Sequence, residues 1–153
     1  MNNEVLAYTA GILDGEGYLA CYRPEGKWYK QKICVHMKKK DVPEWFLKTW
    51  GGQLNIDRRD NSWKWAIGVK GGKELLELCY PYFVEKKEQA RLMLEMMKIK
   101  EENKPKKIGE PDSKEVKEKK EKIYLELRSH YKPCQKRNGL DLARMNSQKS
   151  YKK

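Results

Sequence analysis

Two periods of apolar and polar residues alternate along the first hundred positions. Residues 4–13, EVLAYTAGIL, carry Val5, Leu6, Ala10, Ile12 and Leu13 at helical spacing, interrupted by Gly11. From Gly17 the period falls to two: Leu19 and Cys21 alternate with Tyr18, Ala20 and Tyr22, and Pro24, Glu25 and Gly26 supply a turn. Ile33, Val35 and Met37 then alternate with Lys32, Cys34, His36 and Lys38. This predicts a hairpin with one apolar face and one face rich in lysine, tyrosine and histidine. Asp41 is expected to cap a second helix, with Pro43 in its first turn, Glu44 at capping-box spacing, and Trp45, Phe46 and Trp50 as buried anchors. Gly51 and Gly52 end it. A second hairpin follows, in which Gln53, Asn55 and Asp57 alternate with Leu54 and Ile56, residues 58–62 turn, and Trp63, Trp65 and Ile67 alternate with Lys64 and Ala66. Helical spacing returns at Leu75, Leu76, Leu78, Cys79, Tyr82 and Phe83, breaks near Pro81, and resumes from Gln89 through Leu92, Met93, Met96 and Met97 to Ile99.

The order helix, two strands, helix, two strands, helices predicts an α+β fold: a four-stranded antiparallel sheet with helices on its apolar face and the other face bare. The bare face would carry Tyr18, Tyr22, Lys30, Lys32 and His36 from the first hairpin and Gln53, Asn55, Asp57, Arg58 and Lys64 from the second. Side chains of this kind read base edges in a DNA groove: lysine to guanine, asparagine and glutamine to adenine, aspartate to cytosine. A merely solvated sheet face is the competing reading.

Charge favours the first of these. The net charge is +12, so the molecule should attract a polyanion, with nucleic acid ahead of a membrane surface. From residue 103 onward there are 16 lysines and arginines against 7 acids, a net of +9, which leaves +3 for residues 1–102. We therefore read 1–102 as a folded core and 103–153 as a linker, a charged helix over about 113–131 and a basic tail. Arg137 and Arg144 in that tail are expected to bind phosphates without regard to sequence. No apolar run reaches the roughly 18 to 20 residues of a membrane span, and the polar start lacks the features of a signal peptide, so a cytoplasmic or organellar protein is expected. Cys21, Cys34, Cys79 and Cys134 are scattered without a C-x-x-C pair, which argues against a structural zinc site or a disulfide framework.

Residues 9–17, TAGILDGEG, close a helix with small residues and two acids where a strand begins. Gly11 and Gly15, four apart, share a helical face on which another backbone can approach closely. With Thr9 they are expected to meet the same helix of a second copy about a two-fold axis. Two Glu16 carboxylates would then converge, and would repel unless a divalent cation sat between them.

With these residues the chain resembles the LAGLIDADG homing endonucleases, specifically the single-motif homodimeric branch. The motif matches at Ala10, Gly11, Asp14 and Gly17, with conservative replacements at Ile12 and Leu13; Thr9 stands for leucine, Gly15 for alanine and Glu16 for the second aspartate. DVPEWFLK in the second helix and PYFVEKKEQARLMLEMM further on extend the similarity over residues 4–102. The resemblance implies the αββαββα fold and hydrolysis of a phosphodiester in each strand of a long, pseudo-palindromic DNA site, as in intron homing. It implies Mg2+, with Mn2+ able to substitute, a homodimer on double-stranded DNA, and no small-molecule substrate. Glu16 would bind the metal and be catalytic, with Lys86 and Lys39 beside the scissile phosphate. A cleavage-inactive maturase of the same fold and a DNA-binding protein without catalysis are the alternatives.

Overall fold

The computed structural model describes residues 2–24, 28–103 and 111–131. Glu25 and Gly26 of the expected turn, most of the linker, and the tail with Arg137 and Arg144 lie outside the described residues. The elements are α1 (Asn3–Glu16), β1 (Gly17–Tyr22), β2 (Lys30–Met37), α2 (Asp41–Trp50), β3 (Gln53–Asp57), β4 (Ser62–Ile67), α3 (Val69–Cys79), a 3-10 turn over Tyr80–Tyr82, α4 (Lys87–Glu102) and α5 (Lys114–Ser129). The four strands form one antiparallel sheet in the order β1-β2-β4-β3.

Helix α1 starts at Asn2, whose Oδ1 accepts from the Glu4 N–H at 2.7 Å. It runs without a break through Gly11, correcting the expected interruption. A mid-helix glycine costs only about 1 kcal/mol against alanine, and the burial of Leu6, Thr9, Ala10 and Leu13 on one side outweighs it. The helix stops at Gly17, which is extended (φ −80°, ψ 155°) and donates its N–H to Leu13 O. A Cβ there would lie 2.6 Å from both Cα and O of Leu13, so only glycine lets the chain pass from helix to strand at this distance.

The sheet's covered face presents Leu19, Cys21, Ile33, Val35, Trp65 and Ile67 to Leu13, Phe46, Leu75, Leu76, Leu92, Met93, Met96 and Met97, all buried in one cluster. Three expectations around α2 are corrected. Lys40, in helical conformation and without a side-chain cap bond, precedes the helix, and Asp41 is its first residue. Lys40 instead pairs with Glu44 at 3.0 Å. Of the expected anchors only Phe46 is fully buried, packed on Trp65 with centroids 4.7 Å apart, while Trp45 and Trp50 are half-buried. Helix α2 ends at Gly51 and Gly52, both at positive φ; a Cβ on Gly52 would lie 2.5 Å from Ala66 O. Trp65 closes this corner by donating from Nε1 to Gly51 O at 2.8 Å.

Helix α5 is capped by Ser113 and adds Ile123 and Leu127 to the main cluster. Its Lys120 is buried against Asp112 at 2.7 Å. Just beyond it, the Tyr131 hydroxyl accepts from the Cys21 N–H at 2.9 Å and donates to Leu19 O at 2.8 Å. These are backbone groups on the outer edge of β1, an edge strand that would otherwise offer free pairing partners.

Candidate nucleic-acid interface and catalytic end

The two acids of the motif have opposite fates. Asp14 is a clamp: its carboxylate accepts from the Val84 N–H at 2.9 Å and the Lys86 N–H at 2.8 Å, which ties the segment before α4 to the end of α1. Glu16 is the last helical residue and is exposed. Lys86 turns its ammonium back onto the helix end, donating to Leu13 O at 2.8 Å and to Asp14 O. A cation there complements the negative end of the helix dipole at the helix end that carries Glu16. Beside it Asp14, Gly15, Tyr18, Glu85, Lys86, Gln89, His130 and Tyr131 line a cavity of about 330 Å³. Lys39 is exposed in the bend over residues 38–40 that follows β2.

Ala7, Gly11 and Gly15 form the outward stripe of α1. A Cβ on Gly11 or Gly15 would meet nothing within 4 Å, so nothing inside one chain demands glycine at either position. Thr9 does not share this stripe. It is fully buried, donates to Val5 O at 2.7 Å and accepts from Trp50 Nε1 at 3.1 Å. Two residues are roughly 200° apart around a helix, which places Thr9 opposite Gly11 and into the α1–α2 contact.

On the uncovered sheet face the registers line up the residues expected there. Asn55, Lys64 and His36 form one row, and Gln53, Ala66, Cys34 and Tyr18 the next. Ala20, Cys34 and Ala66 are buried and form a low floor between longer side chains. Tyr18, Tyr22, Lys30, His36, Gln53, Asn55 and Arg58 are exposed, and Lys32 and Lys64 are half-buried. Tyr18 is packed against Tyr131, with ring centroids 5.2 Å apart.

Asp57 is not an unengaged reader. Arg59 grips it with two bonds, Nε to Oδ1 at 2.9 Å and Nη2 to Oδ2 at 2.6 Å, and holds the carboxyl well below the usual carboxylate range. Asp60 accepts from the Ser62 hydroxyl, which lowers it too, and Ser62 also bonds His36 Nε2. His36, Asp57 and Asp60 offer ligand atoms within 4.8 Å of one another, the one such group among the described residues. An imidazole with two carboxylates suits a transition metal better than magnesium, and Arg59 and Lys38 already balance both acids.

The sequence reading missed Asp14 as a clamp, although it stands in the motif, and gave no role to Tyr131 or His130. No protein-family model matches the chain, and no curated protein matches it. Solved structures do match. The homing endonuclease I-CvuI, in complex with a DNA target in 2 mM Mg and with the DNA not cleaved, superposes with a TM-score of 0.71 at 17% identity over 96% of this chain and 94% of that one. An archaeal intron-encoded homing endonuclease, I-Vdi141I, complexed with DNA, gives 0.69 at 13% identity over 96% of each chain. The LAGLIDADG homing endonuclease I-GzeII, in complex with its DNA target, gives 0.69 at 17% identity over 86% of this chain and 46% of its own. The chain has the LAGLIDADG homing-endonuclease fold. At these identities the likeness is one of fold. No helix among the described residues is long and apolar enough to cross a membrane.

Proposed function

We propose that the chain is a site-specific DNA endonuclease that works as a homodimer, cutting each strand of a pseudo-palindromic duplex with metal-assisted hydrolysis. The observation that carries the reading is an exposed Glu16 ending a helix whose outward glycines serve nothing within the chain. Paired along Gly11 and Gly15, with Ala7 in place of Thr9, two such helices would bring two Glu16 carboxylates to the dyad. The uncovered basic sheet faces of the two copies would then lie along the DNA.

Magnesium takes about six oxygens, commonly one or two carboxylates with phosphate oxygens and water. Two Glu16 carboxylates meeting at a scissile phosphate fit that donor set, and dimerisation is what would bring them together. When bound, the ion supplies polarisation of the phosphate and a more acidic water. Glu16 holds it, Lys86 stabilises the negative charge that develops on the phosphate, and Lys39 supports the same charge from the end of β2. Residues 1–102 form the nuclease in this reading, α5 and Tyr131 buttress β1, and 103–153 as a whole add basic charge. Manganese should substitute for magnesium.

The test is cleavage of supercoiled plasmid carrying candidate sites, with magnesium and then with EDTA. Glu16→Gln should abolish cutting while affinity for the uncut site in calcium stays the same or rises, because two charges that repel the phosphates are gone. Lys86→Met should slow cleavage. Undiminished cutting by the Glu16→Gln protein would overturn the mechanism, and tight binding without cutting by the wild type would favour the maturase reading.

A further inference from the structure

The sheet is notched at one end. β4 pairs with β2 only as far as Ile67 opposite Ile33 and then leaves through Gly68 into α3, whereas β2 extends back through Lys32 and Gln31 to Lys30, paired with β1 alone. The gap is a pocket of about 490 Å³. Tyr22, Lys30, Gln31 and Lys32 form one wall, residues 52–53 and 66–69 the other, and Lys100 of α4 closes it from the covered side. Among the described residues, three lysines line it and no acid does.

Two residues in it have incomplete partnerships. Lys100 is half-buried and, among the described residues, donates only to neutral acceptors, Tyr29 O at 3.1 Å and Gln31 Oε1 at 2.9 Å. Gln31 is 4% exposed, and with its oxygen facing Lys100 its Nε2 has no partner among the described residues. That bond also fixes which end of the amide is the nitrogen. A buried donor left unpaired forfeits the full cost of its desolvation, and native structures usually explain such a group. The missing partner must accept a hydrogen bond, and beside three ammonium groups an anion is favoured over a neutral acceptor.

We propose that this notch is a phosphate-binding site, with Gln31 Nε2 and the Lys100 ammonium at its base and Lys30 and Lys32 at its rim. Tyr22, Lys30, Lys32 and Gln53 belong to the uncovered sheet face, so a phosphate of a polynucleotide lying there can enter the notch, as can free phosphate. The polynucleotide source rests on the nuclease reading; the site itself does not.

Gln31→Glu is the diagnostic substitution. It is nearly isosteric, turns the unpaired donor into a carboxylate oxygen, pairs with Lys100 and repels an oxyanion. Inorganic phosphate titrated into the full-length protein without magnesium should shift the Gln31 side-chain amide resonance of the wild type saturably. The Gln31→Glu protein should bind phosphate at least fivefold more weakly, followed by its backbone resonances, with an unchanged or higher melting temperature. Lys100→Met should lose as much, and if it fails to fold, the Gln31→Glu protein carries the test. No saturable shift in the wild type, or a loss under fivefold in a folded Gln31→Glu protein, would overturn the proposal. A second titration, of duplex DNA in calcium against salt, assigns the source. A slope flattened by about 0.9 in the Gln31→Glu protein marks a backbone phosphate, and an unchanged slope marks free phosphate. Failure to cut DNA with the phosphate response intact would remove the nuclease reading and leave this site standing.

Discussion

The β1–β2 hairpin is finished by phenols and the β3–β4 hairpin by carboxylates. In the first, Tyr131 bonds the outer edge of β1, and Tyr29, just before β2, donates to Glu121 of α5. In the second, Arg59 holds Asp57, and Ser62 and Lys38 hold Asp60. The hairpins share one alternating pattern and contribute side by side to one face. Yet the first is braced by a distant helix, through two phenols and an Arg23–Glu121 pair at 2.8 Å, and the second mainly by its own turn through exposed ions, with Lys38 joining from the end of β2. A surface built this way has a stiff half and an adjustable half. Sequence reading by the adjustable half would begin with breaking local ion pairs, since Asp57 must leave Arg59 to reach a base.

The largest effect expected is on the second hairpin, from its covered side. Trp65→Ala removes a fully buried indole and its bond to Gly51 O, and should cost about 3 to 5 kcal/mol in urea unfolding. A loss under about 1 kcal/mol would show that β4 is not anchored through this ring. Next is Tyr131→Phe, which leaves the Cys21 N–H and Leu19 O without their partner. About 1 to 3 kcal/mol is expected, with faster amide exchange at Cys21 and none at Lys64. Equal acceleration in both hairpins would erase the distinction between them.

pH separates the halves more gently. Burial pushes Tyr131 up to about 12, and burial with the bond to Glu121 does the same for Tyr29. Both are raised above the unfolded value near 10, so their contribution is whole below about pH 10 and is lost as pH climbs to 12. The bonds from Arg59 and Ser62 depress Asp57 and Asp60, so theirs is present above about pH 4 and lost as pH falls. Amide exchange should therefore loosen β1 first in base and the β3–β4 turn first in acid; the reverse order would contradict the assignment. The smallest effect is expected from Arg59→Ala, which should lower the melting temperature only slightly because the pair is exposed, while the Asp57 titration moves up toward the ordinary aspartate range, as carbon-detected NMR would read.

Much of this was legible in the sequence because strand alternation reports which face is buried. The four strands, the bare basic face and a Glu16 turned outward at the end of the first helix follow from pattern and motif. What failed has physical causes. Apolar periodicity says that a residue seeks cover and not how much it receives, so Trp45 and Trp50 were overestimated. Thr9 stands next to the glycine stripe in sequence but on the other side of the helix, where a hydroxyl can be buried because Val5 O and Trp50 satisfy it. The charged helix carries Ile123 and Leu127 four residues apart, an apolar stripe too narrow to stand out among lysines and glutamates. The Asp57–Arg59 grip depends on side-chain geometry, and the bond from Tyr131 to β1 joins residues 110 positions apart; neither leaves a local trace.

That last separation has a temporal meaning. A chain emerging from the ribosome at about 5 to 20 residues per second exposes Cys21 roughly 5 to 20 s before Tyr131 is made. Through that interval the outer edge of β1, the strand that begins beside Glu16, has backbone donors and acceptors available to any passing strand. Arrival of one phenol ends the vulnerability. Misassembly of this protein should therefore depend on how fast its last third is translated, and a pause between residues 103 and 131 should be more harmful than one of equal length earlier.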